Sequence, residues 1–163
     1  MKEMTSRRLL QEYLAIPAEK RTHQVKSELY EILLNYPCFQ TVAENDFSQF
    51  SKLSDCMRFE RVEADVNIIE QGDEPDNAYV VILGECEVTV SFTYARMGRT
   101  KVKNKTMCRV GNKSLFGELS LLFKGKRTAT VTTLEATNVL VIPYAPFRKY
   151  MRNPLLRKLN VTI

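Results

Sequence analysis

Short β-rich runs set between turn residues, behind a helical first third, predict a mainly β domain with flanking helices, an antiparallel β-roll of jelly-roll type. The runs are FERV, VNIIE, AYVVIL, ECEVTVSFT, KVKNKTMCRV, TATVTT and TNVLVIP, all between residues 58 and 143. One interruption refines the class. Leu115–Phe123 is too apolar for an exposed loop and has the spacing of a single helical turn, so a short helix is expected inside the roll.

Taken in order, residues 1–24 read as an N-terminal helical extension. Its cluster of Leu9, Leu10, Tyr13 and Leu14 is expected to dock on this domain or on a neighbour. The domain proper is read as 25–163, with a helical lead-in over 25–57. Val25, Leu29, Ile32 and Leu33 form one apolar stripe, and Pro37 is expected to end that helix. A second short helix follows, with Glu44 and Asp46 near its start and Phe47, Phe50 and Leu53 on its apolar side.

The roll itself is expected over 58–143. In its fourth run Cys86, Val88, Val90 and Phe92 alternate with Glu85, Glu87, Thr89 and Ser91, the signature of a strand with one buried and one wet face. Gly72 and Gly84 occupy turns, where positive φ is cheap for glycine. Gly125 is read as the release from the inserted helical turn into the next strand. Residues 144–163 read as C-terminal helix broken near Pro154, with Leu155, Leu156, Leu159 and Val161 as its apolar positions.

The 163 residues suit one domain of ordinary size, and 44% hydrophobic residues are enough for a packed core. Lys and Arg number 24 against 19 Asp and Glu, a net +5 that suits an anionic partner without naming one. No apolar run is long enough for a membrane span, and the N-terminus lacks the apolar centre of a secretory signal. Cys38, Cys56, Cys86 and Cys108 are far apart and share the chain with a single histidine, His23. They are expected to be reduced, mostly buried thiols of a cytoplasmic protein, with no metal site and no cofactor. The chain also offers no nucleophile–base pair, so no catalysis is expected.

The segment 116–131, FGELSLLFKGKRTATV, brings together what a small anionic phosphodiester requires. A helix start offers unpaired N–H groups, arginine offers planar charged donors, glutamate can accept a hydroxyl proton, and glycine permits close approach. This segment resembles the phosphate-binding cassette of the cyclic-nucleotide-binding domain family, an F-G-E-[LI]-[AS]-L pattern followed after a spacer by R-[AT]-A. Gln71-Gly72-Asp73, Tyr79-Val80 and Gly84 resemble the family's strand–turn–strand entry, and the likeness spans roughly residues 25–155.

The resemblance implies a ligand, cAMP or cGMP, and a role for each matching residue. Glu118 would hold the ribose 2′-hydroxyl and Gly117 would allow close approach. Arg127 would pair with the cyclic phosphate, helped by backbone N–H groups near Leu119, Ser120 and Ala129. Thr128 could add a contact to a guanine amino group and so tilts the choice towards cGMP. Val88 and Val110 are candidates for the floor under the base. Lys113 stands where the family commonly has glycine, with Gly111 two residues earlier, and Pro75 and Asn77 alter the turn in which Asp76 is kept. That altered turn is expected to leave the site untouched. The family's C-terminal lid helix is expected to be truncated here.

Between Val88 and Gly117 there is no acidic residue, while Arg96, Arg99, Lys101, Lys103, Lys105, Arg109 and Lys113 are present. The first reading is a solvated hairpin face; a steering field for an anionic nucleotide, or direct binding of nucleic acid or an acidic membrane, are the others. No recognition helix or aromatic stacking set is evident beside the tract, so nucleic acid is not expected as a partner. The function read from these features is a cyclic-nucleotide sensor that regulates an attached or associated effector. The alternative is a ligand-free interaction or scaffold domain of the same fold, binding protein or acidic membrane through its basic faces. A transcription factor's sensor half is disfavoured, because no helix-turn-helix follows.

Overall fold

The computed structural model describes residues 2–160. Four helices come first: α1 (Lys2–Ala15), α2 (His23–Leu33), α3 (Pro37–Asn45) and α4 (Phe47–Ser54). The sequence pattern, with one helix ending at Pro37 and the next starting near Glu44, passes over α3. Pro37 does not end α2, which stops at Leu33; it opens α3 from the first helical position, where a missing N–H costs nothing. Glu44 lies near the end of α3, whereas Asp46 caps α4 by accepting from the N–H groups of Ser48 (2.9 Å) and Gln49 (3.4 Å).

The expected antiparallel roll is observed. The strands are β1 (Arg58–Val62), β2 (Asn67–Ile69), β3 (Asn77–Leu83), β4 (Cys86–Arg96), β5 (Arg99–Val110), β6 (Leu115–Phe116), β7 (Thr130–Thr133) and β8 (Thr137–Pro143). They form two four-stranded sheets, ordered β1-β8-β3-β6 and β2-β7-β4-β5, with every pairing antiparallel. Helix α5 (Leu119–Leu122) is the helical turn inserted between β6 and β7. Leu115 and Phe116, read as its beginning, pair instead with Val80 and Tyr79 as strand.

Two cores explain why some runs are continuously apolar. Tyr79 and Val81 of β3 and Val139 and Val141 of β8 face the roll interior with Ile69, Cys86, Phe116 and Val131. Their neighbours Ala78, Val80, Ile82, Leu140 and Ile142 face outward and meet Leu29, Leu33, Phe39, Phe50 and Leu53 of the helices. A strand covered on both faces loses its polar alternation. β4 is buried at Cys86 and half-buried on both faces through Val90; beyond Val90 the strand leaves the roll, and Phe92, expected inside, is exposed.

Helix α1 docks on this domain. Leu10 is fully buried, and Leu9, Tyr13 and Leu14 pack beside it against the helical core. Arg21, itself buried, ties the following linker to the end of α4 by donating from Nε to the Ile16 carbonyl (3.0 Å) and from Nη1 to the Ser54 carbonyl (3.3 Å). A cation at that helix C-terminus is favourably placed.

Gly84 closes the β3–β4 turn at φ +132°, and a Cβ built there would sit 2.5 Å from Thr137 Oγ1 and 2.8 Å from Thr137 Cβ. Gly84→Ala is therefore expected to cost roughly 1–3 kcal/mol, measurable as a lowered thermal midpoint. Gly125 is not the residue that releases α5; Lys124 takes the left-handed conformation (φ +51°) instead. At the C-terminus, α6 (Tyr144–Pro146) leads through a wide π turn over Phe147–Met151 into α7 (Arg152–Lys158). The chain does not break at Pro154, which lies inside α7. The widened turn precedes it, as expected where proline removes a ladder donor. Leu156 is buried and Leu155 packs on the same core, Leu159 is exposed, and Val161 lies outside the described residues.

Candidate functional site

A cavity of about 210 Å³, open on one side, lies where α5, the segment after it and the inner face of β4–β5 converge. Its floor is aliphatic: Ile69, Val88, Val110 and Val131. Its wall carries Gly117, Glu118, Leu119, Ser120, Arg127, Thr128 and Ala129, so all seven candidate site residues line one cavity. Another cavity of about 250 Å³, between α1, α2 and the β5–β6 loop, is slightly larger, but none of those seven lines it. The smaller one is the better candidate, because an apolar floor meets a few convergent polar groups there.

Arg127 is the organising residue. It is 4% exposed, yet its guanidinium is well satisfied. Nη1 donates to the Gly117 carbonyl (2.6 Å) and to Ser120 Oγ (3.0 Å); Nη2 donates to Asp76 Oδ1 (3.0 Å) and to the Asn77 carbonyl (2.5 Å). The main chain is held as well: Arg127 N–H donates to the Asp73 carbonyl and the Gly72 N–H donates to the Arg127 carbonyl, both at 2.8 Å. The turn that was expected to leave the site untouched is thus the bracket that holds Arg127. A buried arginine needs a counter-charge, and Asp76 supplies it.

Gly117 has two reasons to be glycine. Its φ is +78°, and a Cβ there would lie 2.7 Å from Ile69 Cδ1 and 3.1 Å from Arg127 Nη1. Glu118 follows at the start of α5 without capping it. Burial pushes its carboxyl pKa up from the ordinary value, against the opposing pull of its own backbone N–H and of Arg127. Thr128 sits exposed at the rim. Lys113, standing in for the family's common glycine, adopts φ +69° and donates its N–H to the Val81 carbonyl (2.7 Å), so the left-handed position is kept without glycine.

Residues 59–153 match the family model of the cyclic nucleotide-binding domain. The chain belongs to that family. Among solved structures, cAMP-bound PfPKA-R (141–441) is 25% identical, with a TM-score of 0.66 over 86% of this chain and 46% of that one. The regulatory domain of Toxoplasma gondii PKA, crystallised with cAMP, is 22% identical with a TM-score of 0.66, over 86% of this chain and 50% of that one. The regulatory subunit of a cAMP-independent protein kinase A from Trypanosoma cruzi, bound to guanosine, is 17% identical with a TM-score of 0.65, over 97% and 46%. The chain therefore spans about half the length of these structures.

Several residues of the cyclic nucleotide-binding domain's cavity or its bracket escaped sequence reasoning, four of them instructive. Ile69 and Cys108 line the cavity, while Asp76 and Asn77 hold Arg127. Asp76 had a signal, as an acidic turn residue available to a buried cation. Ile69 and Cys108 had none, since strand register alone decides their neighbours. Cys108 also corrects the expectation of mostly buried thiols: Cys38 and Cys86 are buried, Cys56 is half-buried and Cys108 is exposed. Burial pushes the Cys38 thiol up to about 12, leaving it unreactive.

Proposed function

We propose that this domain binds cAMP or cGMP in the cavity beside Arg127 and passes its occupancy to an attached or associated effector, without catalysis of its own. The observation that carries the reading is the convergence of Arg127, Glu118 and Gly117 on one wall above an aliphatic floor. An anionic phosphodiester would meet Arg127, whose one remaining donor is Nε–H beyond the four bonds already made. Further contact would draw the guanidinium away from Asp76 or Asn77, and that exchange couples ligand to the β2–β3 turn. The ribose hydroxyl suits Glu118 and the base suits Val88 and Val110. Membership of a cytoplasmic signalling assembly fits such a module, and among the described residues no helix is long and apolar enough to cross a membrane.

Calorimetric titration with cAMP, cGMP and guanosine tests the proposal. Saturable binding of a cyclic nucleotide, tighter than that of guanosine, is expected. Silence towards both cyclic nucleotides up to millimolar concentration would leave the scaffold alternative. Thr128→Ala should reduce affinity for cGMP and spare cAMP; equal loss of both would remove Thr128 from base selection.

Glu118 makes binding depend on pH. It accepts the hydroxyl hydrogen bond most strongly when ionised, and its raised pKa means that it protonates at higher pH than an ordinary glutamate. Affinity should therefore fall on acidification, beginning above the usual carboxylate range, and Glu118→Gln should flatten that profile. Stability of the empty domain moves oppositely. With the folded pKa above the unfolded one, the folded state holds the extra proton in that window, so acidification through it stabilises the fold.

A further inference from the structure

The inner face of β4 does not stop at the cavity. Only Cys86–Thr89 of β4 pair with β7; from Val90 outward β4 and β5 form a two-stranded arm projecting from the roll. A Gln71 side chain clamps its root, donating from Nε2 to the Ser91 carbonyl (2.8 Å) and accepting the Ser91 N–H on Oε1 (2.7 Å). The tip is a two-residue turn at Met97 (φ +53°) and Gly98 (φ +72°) between the paired Arg96 and Arg99.

Register decides what the arm presents. Val88 faces Cys108, but Thr89 faces Thr106, so Met107 is an extra residue in β5. One inserted residue exchanges the faces of everything beyond it. As a result Lys105, Lys103, Lys101 and Arg99 lie opposite Val90, Phe92, Tyr94 and Arg96, on the side that continues the cavity floor. The basic tract therefore does have an aromatic set beside it, contrary to the sequence reading: the Phe92 and Tyr94 rings lie 6.4 Å apart among the cations. The other face, Ser91, Thr93, Ala95, Thr100, Val102 and Asn104, carries no charge.

Met97 is a poor choice for folding. Its backbone position favours glycine, asparagine or aspartate, and its side chain is 93% exposed between two arginines. Phe92, Tyr94, Val102 and Met107 are exposed on the same arm.

We propose that this arm docks the domain on an anionic phospholipid bilayer. Met97 at the tip and the Phe92–Tyr94 pair enter the interfacial layer, while Arg96, Arg99, Lys101, Lys103 and Lys105 meet lipid phosphates and carboxylates. Cations interleaved with aromatics, no acidic residue and an apolar tip are the chemistry an acidic membrane surface selects. A single-stranded nucleic acid would use the cations and rings but has no use for an apolar, exposed tip.

Co-sedimentation of the intact chain with phosphatidylcholine vesicles, with phosphatidylcholine–phosphatidylserine vesicles and with single-stranded RNA tests this. Binding to the serine-containing vesicles alone, weakened by salt, is the expected result. Lys101→Glu with Lys103→Glu should reduce it by about tenfold or more. Met97→Ser with Phe92→Ser should reduce it too, and both pairs should leave the thermal midpoint near wild type because these side chains are exposed. Should the charge-reversal pair unfold early, Lys101→Gln with Lys103→Gln carries the same test. Equal binding to neutral vesicles, binding to RNA alone, or indifference to either double substitution would overturn the proposal.

Discussion

Arg127→Ala is expected to weaken cyclic-nucleotide binding by roughly 10- to 150-fold, the equivalent of the ~1.5–3 kcal/mol of a charge-assisted hydrogen bond. It should also lower stability by about 2–4 kcal/mol, because the part-buried Gly117 and Asn77 carbonyls and the buried Ser120 Oγ lose their donor. Asp76 adds little to that loss, since its side chain is 70% exposed and rehydrates. Calorimetry and thermal unfolding on the same preparation separate the two effects. Arg127→Lys keeps the charge but cannot span four acceptors, so it should recover part of the affinity and little of the stability. Wild-type affinity in a destabilised Arg127→Ala protein would show that the residue holds the cassette together and does not meet the ligand.

Leu10→Ala should be a costly change far from the cavity. Leu10 is fully buried between α1 and the helical core, so truncation leaves a void and is expected to cost about 2–5 kcal/mol. For a domain of this size that corresponds to a fall of roughly 5–15 °C in the thermal midpoint. The transition should remain single, because α1 and the roll share one core through Leu10 and Arg21. A midpoint within a degree of wild type would show instead that residues 1–24 fold as a separate appendage.

Much of the fold was legible because a few residue patterns leave little freedom. Period-two alternation at the root of β4, glycines at positive-φ turns and the apolar run at Leu119–Leu122 each satisfy one local condition. Boundaries were less legible where two local rules compete. Pro37 obeys the rule for starting a helix as well as the rule for ending one, and only the packing of Phe39 and Val42 into the core decides between them. Pro154 poses the same ambiguity, resolved by widening the turn before it.

The candidate site divides along the same line. Gly117, Glu118 and Arg127 could be named from the chain, since close approach, a hydroxyl acceptor and a charged donor are properties of single residues in a short segment. The proposed anionic ligand rests on those same residue types. What holds Arg127 in place could not be read there. Asp76 and Asn77 are some fifty positions away, joined to it only by the sheet. The face of the basic arm was equally hidden. Alternation put Arg99, Lys101, Lys103 and Lys105 on one side of a strand, but an extra residue at Met107 chose which side. Residue type sets what a group can bind, whereas register and long-range hydrogen bonds set what it stands beside, and only the folded chain contains those.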